Sequence, residues 1–187
     1  MFYMALLVWG PETLTEQAEQ PKQFEPQKAR FERGRVYIPN ASGLIDLRDR
    51  GFGELRANKL ELSAYESFYL LEKGRIKIHG DNGEVRLRDL VDAFSVGQPA
   101  IWIKYLVYRD LRDRGYIVRE HGKLDFEVYG KGALRRFISI VYEGGEASLK
   151  RLGGLLRFAK GEKKELVLAV VDRRTDIVYY TLTSLNV

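Results

Sequence analysis

The side chains available for chemistry in this chain are few. There is no cysteine, which excludes disulfides, thiolate catalysis and cysteine-ligated zinc. The imidazoles are His79 and His121 alone, too few for a histidine-rich metal site, so no metal and no cofactor is expected. Phenol, carboxylate, ammonium and guanidinium groups remain. Leu124 to Tyr129 alternates strictly, which predicts a strand with Leu124, Phe126 and Val128 on one face and Asp125, Glu127 and Tyr129 on the other. Taken alone, Tyr129 is equally well explained as a strand-end tyrosine with a solvated hydroxyl. Lys164, just ahead of an apolar run, is most simply a solvated lysine. Arg157 falls on the helix face opposite Leu152 and Leu156, and Lys131, Arg135, Arg136, Lys150 and Arg151 are further cations able to contact phosphates. The formal charge of +5 is compatible with a nucleic-acid partner and singles none out.

Positioning these groups requires a folded chain, and the composition supplies one. An apolar fraction of 45% with 12% aromatics over 187 residues can bury a core in one medium domain or two small ones. The apolar opening Phe2 to Trp9 is too short for a membrane span and reads as a strand, so a cytoplasmic protein with no membrane partner is expected. Residues 11–34, rich in Glu, Gln, Lys and Pro, read as an exposed loop. Val36 to Pro39 predicts a strand, with Asn40 capping a helix through Leu44, Ile45 and Leu47. Ser63 and Glu66 form a capping-box pattern for a helix that Gly74 ends. Ile76 to Ile78 predicts a strand, Asp81 to Gly83 a tight turn, and Leu87, Leu90 and Val91 a short helix. Gly97-Gln98-Pro99 breaks the pattern. The expected organisation is an N-terminal domain over 1–96, a linker at 97–99 and a second domain over 100–187.

The second half is more regular. Ile103, Val107 and Leu111 recur at helical spacing up to Gly115. Phe137 to Tyr142 predicts a strand, and Leu149, Leu152, Leu155, Leu156 and Ala159 share one helix face. Leu166 to Val171 reads as a strand covered on both sides, and Ile177 to Leu182 as a closing strand. The fold class is α/β (α+β): a small N-terminal α/β domain, then a mixed sheet flanked by helices.

Three segments resemble a known family. Lys104-Tyr105-Leu106-Val107-Tyr108-Arg109-Asp110-Leu111-Arg112-Asp113-Arg114-Gly115-Tyr116-Ile117-Val118 is similar to a helix and strand of the archaeal tRNA-splicing (tRNA-intron) endonucleases. Asp125-Phe126-Glu127-Val128-Tyr129 resembles the strand ending in that family's catalytic tyrosine. Lys163-Lys164-Glu165-Leu166-Val167-Leu168-Ala169-Val170-Val171-Asp172, with Asp176-Ile177-Val178-Tyr179-Tyr180, resembles the strand pair opened by its catalytic lysine. The resemblance runs in order over residues 103–182. In the first half it is one of outline, through Leu62 to Leu71, and it implies a C-terminal nuclease-like domain.

It also implies an activity. The family cleaves bulge–helix–bulge RNA in precursor tRNA without a metal. A 2′-hydroxyl attacks the adjacent phosphorus, leaving a 2′,3′-cyclic phosphate and a 5′-hydroxyl. Such a step needs a base, an acid and positive charge near the phosphorane. The family uses a tyrosine, a histidine and a lysine. Tyr129 and Lys164 match the first and the last. The histidine belongs between Tyr129 and the strand at Phe137, where Gly130 to Arg136 contains none. His121 lies eight residues before Tyr129, on the other side of the motif. Arginine at 135 or 136 can hold a phosphate and is a poor general acid, because a guanidinium stays protonated.

The implied role is a structural subunit of a heterotetramer whose partner subunit supplies the histidine, with Tyr129 and Lys164 vestigial. The alternatives are a catalytic subunit with a displaced acid, His121 being the candidate, and a basic RNA-binding module without enzymatic function. By the same resemblance, Arg157 contacts a bulge nucleotide. Asp172 and Asp176 belong to a charged loop that inserts into the opposing subunit, or else to a polar hairpin turn. Tyr180 and Leu182 lie on the strand through which subunits join.

Overall fold

The computed structural model describes residues 25–40, 45–130, 135–144 and 148–183. The expected strand at Phe2 to Trp9, most of the expected loop and Lys131 lie outside them. The chain is mixed α+β with two mixed sheets. The first comprises β1 (Gln27–Glu32), β2 (Arg35–Pro39), β3 (Glu54–Arg56), β4 (Lys59–Leu62), β5 (Ile76–Gly80) and β6 (Gly83–Val85) in the order β3-β4-β2-β1-β5-β6. Its β1 and β5 run parallel. The second comprises β7 (Ile117–Glu120), β8 (Phe126–Tyr129), β9 (Arg135–Tyr142), β10 (Glu165–Val171) and β11 (Ile177–Leu182) in the order β11-β10-β9-β8-β7, with β9 and β10 parallel. The helices are α1 (Ile45–Asp49), α2 (Ala64–Glu72), α3 (Leu87–Ser95), α4 (Ile101–Asp113) and α5 (Leu149–Gly161).

The start of α2 follows from its sequence. Ser63 Oγ accepts from the Glu66 N–H at 3.3 Å, and Glu66 Oε2 accepts from the Ser63 N–H at 2.8 Å. Glu66 Oε1 also accepts from the Gly53 N–H at 3.1 Å, tying the helix start to the turn before β3. Burial raises the Glu66 carboxyl, and the hydrogen bonds from Ser63 and Gly53 only partly oppose that rise.

Two expectations in this half are corrected. Residues 27–32 are not loop but β1, a central strand of the sheet. Ala29 is buried and Phe31 half-buried between exposed Lys28, Arg30 and Glu32. The sparse apolar residues hid a strand with one face open to water. Asn40 does not cap a helix. Its φ of 56° lies in the left-handed region, whereas an N-cap residue is extended, so Asn40 turns the chain out of β2.

One core links the two halves through α4. Tyr105, Val107, Tyr108 and Leu111 are buried, and Ile103 is half-buried. Tyr65 of α2 stacks on Tyr108 at 5.9 Å and meets Phe126 of β8 edge-on at 5.3 Å, while Phe68 meets Tyr105 edge-on at 5.4 Å. A buried ring of this kind contributes roughly 2–3 kcal/mol. Arg112, also buried, donates to the carbonyls of Arg50 (2.9 Å) and Tyr116 (3.2 Å) and lies 3.7 Å from the centroid of Phe52. A second, smaller cluster lies on the far side of the second sheet, where Leu156 and Ala159 of α5 cover Phe137 and Leu166.

Candidate functional site

Register alone puts the candidate residues together. Tyr129 pairs with Arg135 and Glu127 with Phe137, and Phe137 pairs in turn with Leu166 of β10. Because strand side chains alternate, Glu127, Tyr129, Arg135 and Phe137 share the sheet face that α5 covers. Lys164 reaches that face through the end of α5. The Lys163 N–H donates to the Lys160 carbonyl (3.1 Å) and the Lys164 N–H to the Ala159 carbonyl (2.9 Å), with Lys163 at φ 54°. This double bond through a left-handed residue is a Schellman cap, and it delivers Lys164 just before β10.

The Lys164 ammonium stands 2.6 Å from Glu127 Oε1 and 4.3 Å from the Phe137 ring centroid. Its side chain is 15% exposed and that of Glu127 is 13% exposed, so water screens the pair only weakly. Burial pushes the Glu127 carboxyl up, but hydrogen bonds from Lys164 and Tyr129, with the charges of Lys164 and His121, hold it below its ordinary value. Tyr129 moves the other way. Burial raises its phenol and the Glu127 carboxylate raises it further, against a smaller lowering by Arg135 and Arg119. A raised phenol is further from the phenolate that a general base would need at neutral pH.

Arg135 joins this face, its guanidinium 5.2 Å from the Tyr129 ring centroid. Arg136 does not. It follows Arg135 in the strand, so it points to the opposite face, where it donates to Glu165 Oε2 at 2.8 Å. Arg157 is exposed on α5. Asp172 is committed to its own hairpin: its Oδ1 accepts from the Arg174 N–H (2.8 Å) and the Asp176 N–H (2.9 Å). Asp176 is exposed in the same turn. Tyr180 is 56% and Val178 49% exposed on β11, the edge strand of the sheet among the described residues, whereas Leu182 packs against the cluster under α5.

The predicted alternation of 124–129 holds from Phe126 to Tyr129 and fails before it. Leu124 belongs to the cluster under α5, and Asp125 binds Lys104 (2.7 Å) and the Ile140 N–H (2.7 Å). The Asp125 N–H donates to the Ile138 carbonyl while Phe126 pairs with Ile138, so two residues oppose one. Such a bulge reverses the facing of whatever precedes it. Past it, the His121 ring lies 4.9 Å from Phe137 and 5.9 Å from Phe158. His121 and Lys164 therefore pack on the same phenylalanine, a proximity the sequence order did not suggest.

Fold and site define a class: a two-sheet α+β chain presenting tyrosine, lysine and arginine, side chains suited to phosphate chemistry, on one sheet face, with a carboxylate among them. Residues 27–91 match the tRNA intron endonuclease N-terminal domain, and residues 101–179 match the tRNA intron endonuclease catalytic C-terminal domain. The chain is 40% identical over 151 residues to the tRNA-splicing endonuclease of Pyrococcus furiosus, covering 78% of this chain and 89% of that one. It is 38% identical over 153 residues to that of Pyrococcus abyssi (79% and 90%), and 35% identical over 164 residues to that of Thermococcus onnurineus (84% and 96%). The chain belongs to the tRNA intron endonuclease family. Among the described residues no helix is long and apolar enough to cross a membrane.

Proposed function

We propose that this chain is the structural subunit of a tRNA-splicing endonuclease, and that a catalytic partner in a heterotetramer supplies the active histidine. The complex cleaves bulge–helix–bulge introns in precursor tRNA, in the cytoplasm, to 2′,3′-cyclic phosphate and 5′-hydroxyl ends. The observation that carries the reading is the Glu127 carboxylate, bound by Lys164 at 2.6 Å on the sheet face it shares with Tyr129. A scissile phosphate placed between Lys164 and Tyr129 would meet a negative charge, and the ammonium that should stabilise the phosphorane is already neutralised. No histidine exists between Tyr129 and β9 to act as acid. In this reading Tyr129 and Lys164 hold the fold locally. The exposed edge at Tyr180 and the hairpin at Asp172 and Asp176 serve assembly. Arg157 and Arg135 face RNA, and the N-terminal domain spans 1–96 and the nuclease-like domain 100–187.

One observation favours a second reading, in which the chain is itself catalytic. His121 packs on the ring that also carries Lys164, and its Nδ1 accepts from the Lys123 N–H at 3.3 Å. Cleavage of a bulge–helix–bulge RNA, scored for cyclic-phosphate ends, separates the two. The structural role predicts no cleavage by the purified chain, robust cleavage with its partner, and full activity of the complex carrying Lys164→Ala. Robust cleavage by the chain alone, abolished in His121→Ala, establishes the second reading.

A further inference from the structure

Among the described residues, the first sheet packs its helices on one face and leaves the other open. On that open face the parallel register of β1 and β5 sets Lys28 directly beside Lys77, and Arg30 beside His79, all four exposed. Adjacent strands are only about 4.8 Å apart, and like charges opposite one another destabilise a strand pair.

Elsewhere on this face the charged groups have partners, and Glu84 stands beside His79 in the register of β5 and β6. Glu61 takes Arg35 at 3.3 Å and Arg56 at 3.6 Å, Tyr37 donates to Glu32 at 2.9 Å, and Lys59 lies over the Tyr37 ring at 4.3 Å. Among the described residues, Lys28, Arg30 and Lys77 have no carboxylate within ion-pair distance. A groove of about 610 Å³ opens beside them, with Lys28, Arg30 and His79 on its walls and the carboxylates of Glu32 and Asp81 at the side away from Lys77 in the strand register. The fold thus holds a patch of repelling cations on two central strands, where a bound anion would relieve the repulsion.

We propose that this open face, through Lys28, Arg30 and Lys77, docks the phosphate backbone of the RNA substrate, away from the Tyr129–Lys164 face. The choice of RNA rests on the substrate reading above. Lys28 and Arg30 are two residues apart, about 6.6 Å along the strand, so the cations form an extended patch that a chain of repeating anions can satisfy. Contacts of this kind position the RNA and carry no base specificity.

Lys28→Glu and Lys77→Glu, made singly in the full chain assembled with its partner, test this by binding of an intron-containing precursor tRNA between about 50 and 200 mM salt. Each is expected to weaken binding about 5–10-fold at 100 mM and to make the log–log salt slope shallower by about 1. In the same variants the free chain should melt about 1 °C higher, because the opposed lysines become an attractive pair. Arg88→Glu, a charge reversal at a 90%-exposed position on α3, controls for net charge. Unchanged RNA affinity in Lys77→Glu, or an equal loss in Arg88→Glu, overturns the proposal. Unchanged affinity with lowered stability would instead assign the face to an acidic segment of this chain, such as the stretch holding Glu12, Glu16 and Glu19. Binding is read without cleavage, so a wrong subunit role leaves this test intact. A wild-type complex that ignores precursor tRNA would sink both.

Discussion

Lys164 and Glu127 sit on either side of Phe137, one just ahead of β10 and the other on β8, and close a 2.6 Å ion pair across the intervening strand. The lysine that matches the family's catalytic position is thereby a fixed part of the sheet surface, held by a carboxylate two residues from the matching tyrosine.

That pair should be visible in the pH dependence of stability. The Glu127 carboxyl is held below its ordinary value of 4.5 in the folded chain. The stabilisation is therefore complete above that value and is lost as pH falls through the lower folded one. Glu127→Gln leaves a nearly buried ammonium with a weaker partner and should cost about 1–2 kcal/mol near pH 7. Urea unfolding of both proteins should show this difference shrinking between pH 6 and pH 3. Glu66, whose carboxyl is raised by burial, titrates in both and cancels from the comparison. A difference that stays constant across this range would show that the pair contributes no ionic stabilisation.

The edge strand and its hairpin should separate assembly from folding. Tyr180 and Val178 expose apolar surface on a strand edge with free backbone groups, so Tyr180→Asp should leave the monomer's melting temperature within about 2 °C and weaken association with the partner about 10–100-fold. Asp172 behaves differently because its carboxylate caps its own turn. Asp172→Ala should cost about 1 kcal/mol of stability, and Asp172→Asn should recover most of it. Sedimentation of the mixed subunits reads the first effect and thermal unfolding the second. Loss of assembly in Asp172→Asn with stability intact would show that the charge itself reaches the partner.

Most of the second sheet was legible, because its strands are apolar runs between clear turns, and the helix through Tyr105 and Tyr108 showed its period. The capping box at Ser63 and Glu66 was readable for the same reason: it is local. Three features were not. Strand β1 shows only Ala29 and Phe31 as apolar residues, because its outer face carries Lys28, Arg30 and Glu32. The bulge at Asp125 depends on pairing with β9, which no alternation within 124–129 reports. The Lys164–Glu127 contact needs the register of three strands, although the alternation did place Glu127 on the face of Tyr129.

The buried centre offers a stability test with the sign reversed. Tyr108 is 1% exposed, and its hydroxyl has no hydrogen-bond partner among the described residues. Burial raises its phenol well above the usual range. Tyr108→Phe removes a desolvated polar group and keeps the stack on Tyr65, so it should stabilise by about 1 kcal/mol. That corresponds to a melting temperature about 2–4 °C higher for a chain of this size. Tyr105→Phe, which deletes a hydroxyl donating to Glu72, should destabilise by a similar amount. Equal destabilisation in both variants would mean that Tyr108 has a partner in solution.

Helix ends separate what sequence shows from what structure adds. Three helices close with the same two-bond cap, whose left-handed residue is Gly51 after α1, Gly74 after α2 and Gly115 after α4. After α5 the same position is Lys163, at φ 54°, a conformation costing a residue with a Cβ about 1 kcal/mol. Glycine marks such a stop in the sequence and lysine does not, so the end of α5 was hidden. Lys163→Gly should therefore stabilise the chain by about 0.5–1 kcal/mol in chemical unfolding while leaving the Lys164–Glu127 pair in place. A destabilised variant would show that the Lys163 side chain makes a contact outweighing the backbone strain.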